Sequence, residues 1–161
     1  MKTIVRVGQG YDLHRLEAGR KFILAGVAIT WDKGPAGHSD GDVVLHAVID
    51  GLFGAAGMGD IGEHFPDSDP AYKDIDSSEL LGQAREMIEA AGYVPVNVDV
   101  TVITEKPKLS DYKGEMRRNL AEMLGLETNA VSIKAKTNEG LGDVGQGKAI
   151  ACQAIVSLAI S

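Results

Sequence analysis

The chain has a single cysteine, Cys152, so it can form neither an internal disulfide nor a cysteine-rich zinc site. No apolar run reaches the roughly 20 residues needed to cross a bilayer, which excludes a membrane-spanning helix. Met1-Lys2-Thr3-Ile4-Val5-Arg6 is too short and too mixed for a signal peptide. There is no Ser/Pro run, charge block, low-complexity tract or internal repeat to mark a linker. These absences lead us to expect one cytoplasmic domain over residues 1–161, with no membrane partner. Positive charge is also scarce: the formal net charge is −7, which argues against nucleic acid as a partner. An acidic protein that binds an anion must concentrate positive charge locally, through metal ions, lysines or backbone N–H groups. Aromatic residues make up only 5% of the chain, whereas glycine supplies 20 residues, so tight turns and close backbone approach carry much of the architecture.

What is present is an alternation of strand-like and helix-like segments. Ile4 to Tyr11 reads as a strand and Phe22 to Ile29 as a hairpin around Gly26. Val44, Leu45, Val48, Ile49 and Leu52 form a helical stripe within Asp42 to Ala56, with Ser39 as a candidate cap. A loop rich in turn residues runs from Gly57 to Asp76, and a second helix from Ser77 to Ala91 stops at Gly92. In the strand from Val96 to Thr104, the residues Val96, Val98, Val100 and Val102 share one face. A helix over Asp111 to Leu124 ends at Gly125, and Val131 to Lys136 is a strand. Ile150 to Ile160 reads as a final buried strand, with helix as the alternative. The order predicts an α/β (α+β) sandwich: an open mixed sheet of about four main strands with helices on one face. The other face, if apolar, calls for a partner subunit.

Residues two apart on a strand share a face, so Asp12 and His14 in Gly10-Tyr11-Asp12-Leu13-His14 can reach one ion. His46, from the following helix, can complete the set. One carboxylate and two imidazoles are the ligand mix of a catalytic zinc with an open position, able to polarise a substrate oxygen. Taken singly, Asp12 and His14 read by default as a strand-end hydrogen-bonding pair, and His46 as a satisfied core histidine. Asp42, His46 and Asp50 form an i, i+4, i+8 row, so Asp42 or Asp50 could orient the imidazole. His38-Ser39-Asp40-Gly41-Asp42 sits at a helix start, where N–H groups favour anions, or is simply a cap. His64 reads as loop surface, and Cys152 as a small core residue.

Gly140-Leu141-Gly142-Asp143-Val144-Gly145 is a literal G-x-G-x-x-G, but dinucleotide binding needs a helix, a strand and an acid some 20 residues further on. Only 16 residues follow Gly145, so that reading is rejected. No G-x-x-x-x-G-K-S/T or G-x-S-x-G occurs. Thr137-Asn138-Glu139 ends a strand carrying Lys134 and Lys136, a combination suited to a magnesium–phosphate site or to a solvated loop.

Five co-linear motifs carry a resemblance. They are Gly10-Tyr11-Asp12-Leu13-His14, His38-Ser39-Asp40-Gly41-Asp42, Gly59-Asp60-Ile61-Gly62, Phe65-Pro66-Asp67-Ser68-Asp69-Pro70 and Lys134-Ala135-Lys136-Thr137-Asn138-Glu139. With Glu105-Lys106-Pro107-Lys108-Leu109 between strand and helix, the chain closely resembles the 2-C-methyl-D-erythritol 2,4-cyclodiphosphate synthase family of the non-mevalonate isoprenoid (terpenoid) pathway. The resemblance implies a homotrimeric, CMP-releasing phosphorus–oxygen lyase with active sites between subunits. Its substrate is 4-diphosphocytidyl-2-C-methyl-D-erythritol 2-phosphate, whose 2-phosphate attacks the β-phosphorus. By similarity, Asp12, His14 and His46 hold zinc, and Glu139 holds magnesium or manganese with the diphosphate. His38 and Thr137 match the transition-state-stabilising residues. Ser39, Asp60, Ile61, Gly62 and the loop Phe65, Pro66, Asp67, Ser68, Asp69 match erythritol-phosphate contacts. Thr104, Glu105, Lys106, Pro107, Lys108, Leu109 and Ser110 match the cytidine pocket, and Lys136 and Asn138 are further substrate contacts.

Three positions depart from the family pattern. Gln9 stands where a histidine is common, and Asp143 and Gln146 stand where an aromatic and an arginine often lie near the trimer axis. Two rival readings of the triad are a zinc-dependent phosphohydrolase that activates water and a non-catalytic trimeric metal-binding module.

Overall fold

Long alternating segments pair into a five-stranded sheet in this computed structural model, which describes residues 4–161. Met1, Lys2 and Thr3, which open the segment weighed as a signal peptide, lie outside the described residues. The sheet comprises β1 (Val5–Ala18), β4 (Lys33–Pro35), β5 (Tyr93–Ile103), β6 (Val131–Lys136) and β7 (Ala149–Ile160), in the order β4-β1-β7-β5-β6. Only β5 and β6 run parallel, joined through a helix, as a parallel pair requires. Four strands are long, as the sequence predicts, and β4 is a three-residue edge that the apolar pattern does not mark. The expected hairpin is β2 (Phe22–Leu24) with β3 (Val27–Ile29), closed by Ala25 and Gly26, both at positive φ.

The helices α1 (Val43–Ala56), α3 (Ser77–Ala90) and α4 (Lys113–Leu124) cover one face. Between them, the loop over 57–76 contains the short α2 (Ile61–His64) and a 3-10 turn at Pro70–Tyr72. The helix α1 lies directly on β1 because Gly8 and Gly10 have no side chains. A Cβ at Gly8 would overlap the carbonyl oxygen of Gly51, and one at Gly10 that of Ala47. The other face carries Val5, Val7, Tyr11, Leu13 and Ile155, all 42% to 64% exposed.

Several expected boundaries shift, each for a physical reason. The strand expected to stop at Tyr11 continues to Ala18, because pairing with β7 runs on to Arg15 and pairing with β4 begins at Leu16. Asp12 and His14 are therefore mid-strand. The cap of α1 is Asp42, whose carboxylate accepts from Val44 and Leu45 N–H, and Ser39 serves elsewhere. Strand β5 begins at Tyr93, and a register shift between Pro95 and Asn97 leaves Val96 41% exposed while Val98, Val100 and Val102 are fully buried. The last apolar run is a strand, β7, seated between β1 and β5. The rejected dinucleotide motif forms the single helical turn α5 (Gly142–Gly145) and leads into this antiparallel strand, not into a βαβ unit.

Candidate metal centre

Close seating of α1 on β1 brings three ligand atoms together. Asp12 Oδ2 is 2.9 Å from His14 Nε2 and 3.0 Å from His46 Nδ1, and the two nitrogens are 3.3 Å apart. Four ligands at zinc bond lengths sit roughly 3.3 Å from one another, so these three atoms nearly form one face of such a tetrahedron. The group can bind a metal ion, and all three residues line a cavity of about 400 Å3.

Neighbouring groups set the tautomers. The Nδ1–H of His14 donates to the Ala36 carbonyl at 2.5 Å, which leaves Nε2 as the ligand atom. Ser77 Oγ donates to Asp40 Oδ1, so it can only accept from His46, whose Nε2 lies 2.8 Å away. Ser39 Oγ stands 3.0 Å from the same nitrogen. With an ion bound, the imidazole would thus keep its proton on Nε2 and turn the Nδ1 lone pair to the ion position. In the ion-free protein burial works against the Asp12 carboxylate, but hydrogen bonding and charge from the adjacent His14 and His46 rings outweigh it and hold the group well below the usual range. Burial likewise opposes protonation of His14, yet the Asp12 hydrogen bond and charge raise it above 6.5.

The expected helper roles of Asp42 and Asp50 are not borne out. Asp42 is fully buried and accepts the N–H groups of Ala25, Gly26, Val44 and Leu45, facing the hairpin instead of His46. Its burial lifts it to about 6, against the pull of those N–H groups. Asp50 accepts from Ile61 N–H at 3.0 Å and so fixes the start of α2. His64 is not plain loop surface: its ring lies 4.2 Å from Phe53 centroid to centroid, and Nε2 bonds the Met58 carbonyl.

The same cavity gathers His38, Ser39, Ile61, Gly62, Phe65, Pro66 and Asp67 around Asp12, His14 and His46. His38 Nε2 is buried there with no hydrogen-bond partner among the described residues, a donor or acceptor left for something else. Asp60, Ser68 and Asp69 do not line this cavity: Asp60 caps α2 at Glu63 N–H, Asp69 caps the 3-10 turn at Ala71 N–H, and Ser68 is exposed. A second cavity, of about 210 Å3, is lined by Thr104, Glu105, Pro107, Lys108, Leu109 and Ser110 together with Lys136 and Thr137. The Lys106 carbonyl accepts from Thr104 Oγ1 beneath it. Asn138 and Glu139 are exposed on the loop that follows.

One chain does not join these two cavities. Asp12 pairs with Cys152, Cys152 with Val102 and Val102 with Ala135, so the triad and the Thr137 end of β6 stand three strand spacings apart, roughly 14 Å. Among the described residues, none lines both cavities.

Residues 5–159, nearly the whole chain, match one family. The chain belongs to the YgbB family. Curated relatives include the 2-C-methyl-D-erythritol 2,4-cyclodiphosphate synthase of Neisseria meningitidis, 53% identical over 97% of this chain and 98% of that protein. The fold matches the bifunctional IspDF of Campylobacter jejuni with a TM-score of 0.95 and 39% identity, covering 99% of this chain and 43% of that longer one. It also matches IspF of Plasmodium falciparum in complex with CDP, with a TM-score of 0.86 and 34% identity over 100% of this chain and 99% of that one. The YgbB fold also brings in residues that the sequence reading did not single out. Tyr11, Tyr72 and Leu80 line the first cavity, and Asp40 and Ser77 support His46. Asp40 lies within a quoted motif, but Ser77 is 31 residues from His46 and carries no signal beyond a helix start.

Proposed function

We propose that this YgbB-family protein converts 4-diphosphocytidyl-2-C-methyl-D-erythritol 2-phosphate to the 2,4-cyclodiphosphate, with release of CMP. An oxygen of the 2-phosphate bonds to the β-phosphorus, and the bond from that phosphorus to the bridging oxygen breaks, so CMP leaves with the electron pair. The observation that carries this reading is the convergence of Asp12, His14 and His46 on one point beside the unpartnered His38 Nε2. The near-full-length similarity to cyclodiphosphate synthases supports it.

Both reacting groups are anionic, and two unit charges 4 Å apart repel by about 4 kcal/mol at an effective dielectric near 20. Zinc held by Asp12, His14 and His46, and magnesium or manganese held by Glu139 with the diphosphate, would neutralise that charge and polarise phosphorus–oxygen bonds. The protein's own groups then orient the reactants. His38 Nε2 donates to a phosphate oxygen, and the Thr137 hydroxyl does the same from the other half of the site. Ser39, the start of α2 at Asp60, Ile61 and Gly62, and the loop over 65–69 enclose the erythritol phosphate. Phe65 anchors that loop, its ring 6.0 Å from Phe53 and 5.3 Å from Tyr72 between centroids. Residues 104–110 hold the cytidine, with Lys136 and Asn138 beside its phosphates. Because the nucleophile is already ionised, no strong general base is needed.

The roughly 14 Å between the two half-sites supports a homotrimer in which the triad of one subunit faces Thr137 and Glu139 of the next. The exposed apolar sheet face supports the same assembly. We read residues 1–161 as one catalytic domain working in the cytoplasm. Phosphorus NMR of the protein with substrate, zinc and magnesium tests the proposal. Cyclic diphosphate and CMP are expected; a linear product carrying solvent oxygen would replace this reading with a phosphohydrolase.

A further inference from the structure

Glu105 is spent on the chain itself. Its Oε1 accepts the N–H of Asn138 at 2.8 Å and the N–H of Gly140 at 3.2 Å. Two backbone N–H groups converging on one oxygen from alternate residues form the kind of nest that binds anions, and here an internal carboxylate fills it. Between the two donors sits Glu139, whose φ is +54°, a left-handed conformation that non-glycine residues keep only when their surroundings enforce it. Its own N–H is taken by Thr137 Oγ1 at 3.3 Å, so all three consecutive N–H groups are accounted for. Glu105 follows directly on Thr104, whose N–H is bonded to the Lys136 carbonyl at 2.9 Å, so the support begins from a fixed point. Glu105 also lines the second cavity, where its charge is unfavourable beside an anionic nucleotide unless it has another task.

We infer that Glu105 is a positioning residue: it locks the 137–140 loop so that Glu139 presents its carboxylate from a fixed left-handed backbone, and so ties the nucleotide cavity to the second divalent ion. This rests on the proposal that Glu139 holds that ion. A glutamine at 105 keeps a carbonyl oxygen able to accept both N–H groups, whereas alanine removes the acceptor.

The test measures Mn2+ binding in the presence of CDP, by electron paramagnetic resonance, for the full-length protein and its variants. Glu105→Ala should weaken Mn2+ binding roughly tenfold and speed amide exchange at residues 138–140, while Glu105→Gln should stay within about threefold of the parent. Zinc content, which depends on Asp12, His14 and His46, should be unchanged in both. If Glu105→Ala does not fold, Glu105→Asp serves instead, because its shorter reach should give the same loss with the charge retained. Parent-like Mn2+ binding in the alanine or aspartate variant, alongside a loss in Glu139→Gln, overturns the positioning role alone. Parent-like binding in Glu139→Gln overturns the ion's assignment, and the positioning role falls with it.

Discussion

His46 and Ser77 are joined by a 2.8 Å hydrogen bond in which the imidazole donates and the hydroxyl, already committed to Asp40, accepts. The far end of the ring is thereby fixed toward Asp12, 3.0 Å away. Partners of this kind typically contribute a factor of 10–100 to metal affinity. Ser77→Ala and Asp40→Asn should each weaken zinc binding by about that factor with the secondary structure intact. Chelator competition measures it, and unchanged affinity in both variants would remove Asp40 and Ser77 from the account of the site.

Gly10→Ala should be among the most damaging single changes, because its Cβ would overlap the Ala47 carbonyl and drive α1 off β1. A loss of about 3 kcal/mol or more is expected, the upper end of overpacking effects, together with loss of zinc binding. Gly82→Ala in α3 is the contrast: its Cβ meets nothing within 4 Å, so a gain of about 0.5–1 kcal/mol should follow. Urea denaturation of the two proteins separates a steric effect from a general sensitivity to alanine.

Asp42→Asn should cost about 1–3 kcal/mol, since an amide offers one acceptor oxygen where the carboxylate meets four N–H groups with two. Its NH2 group would oppose a backbone N–H. The loss should appear in thermal unfolding, and the variant should still bind zinc, because the Asp42 carboxylate bonds backbone N–H groups and not the His46 ring.

The pH dependence of the metal-free protein follows from His14. Its native pKa lies above the ordinary 6.5, so the contribution of the protonated His14–Asp12 pair is complete below 6.5 and disappears as pH rises through the native value. Ion binding needs the neutral ring, so the stabilisation by zinc should grow across the same window. Asp42 acts lower: raised from 3.8 to about 6, its contribution is complete below 3.8 and gone above about 6. Urea midpoints with and without zinc, followed upward from pH 6.5, should diverge. A parallel course would contradict the proton–ion competition.

Periodicity made most of the framework legible. The stripe of α1 and the alternation of Val98, Val100 and Val102 come directly from burying one face, and a burial pattern is what a sequence records best. It records pairing poorly. The continuation of β1 past Tyr11 depends on partners in β4 and β7, and the exposure of Val96 depends on a register shift at Pro95. The triad Asp12, His14 and His46, able to bind a metal ion, was readable because a strand of period two and one helix bring it together. Ser77 and the Glu105 nest were not, because each acts across more than 30 residues, Ser77 on His46 through one hydrogen bond and Glu105 on the 138–140 loop through two.

The bare glycines at 8 and 10 have a kinetic corollary. With α1 pressed on β1, the three ligands stand on a strand and a helix held by the core, so no loop has to fold around an arriving ion. Stripped protein should reload at a rate set by ion encounter and deprotonation of His14, and exchanging one metal for another should leave the framework undisturbed.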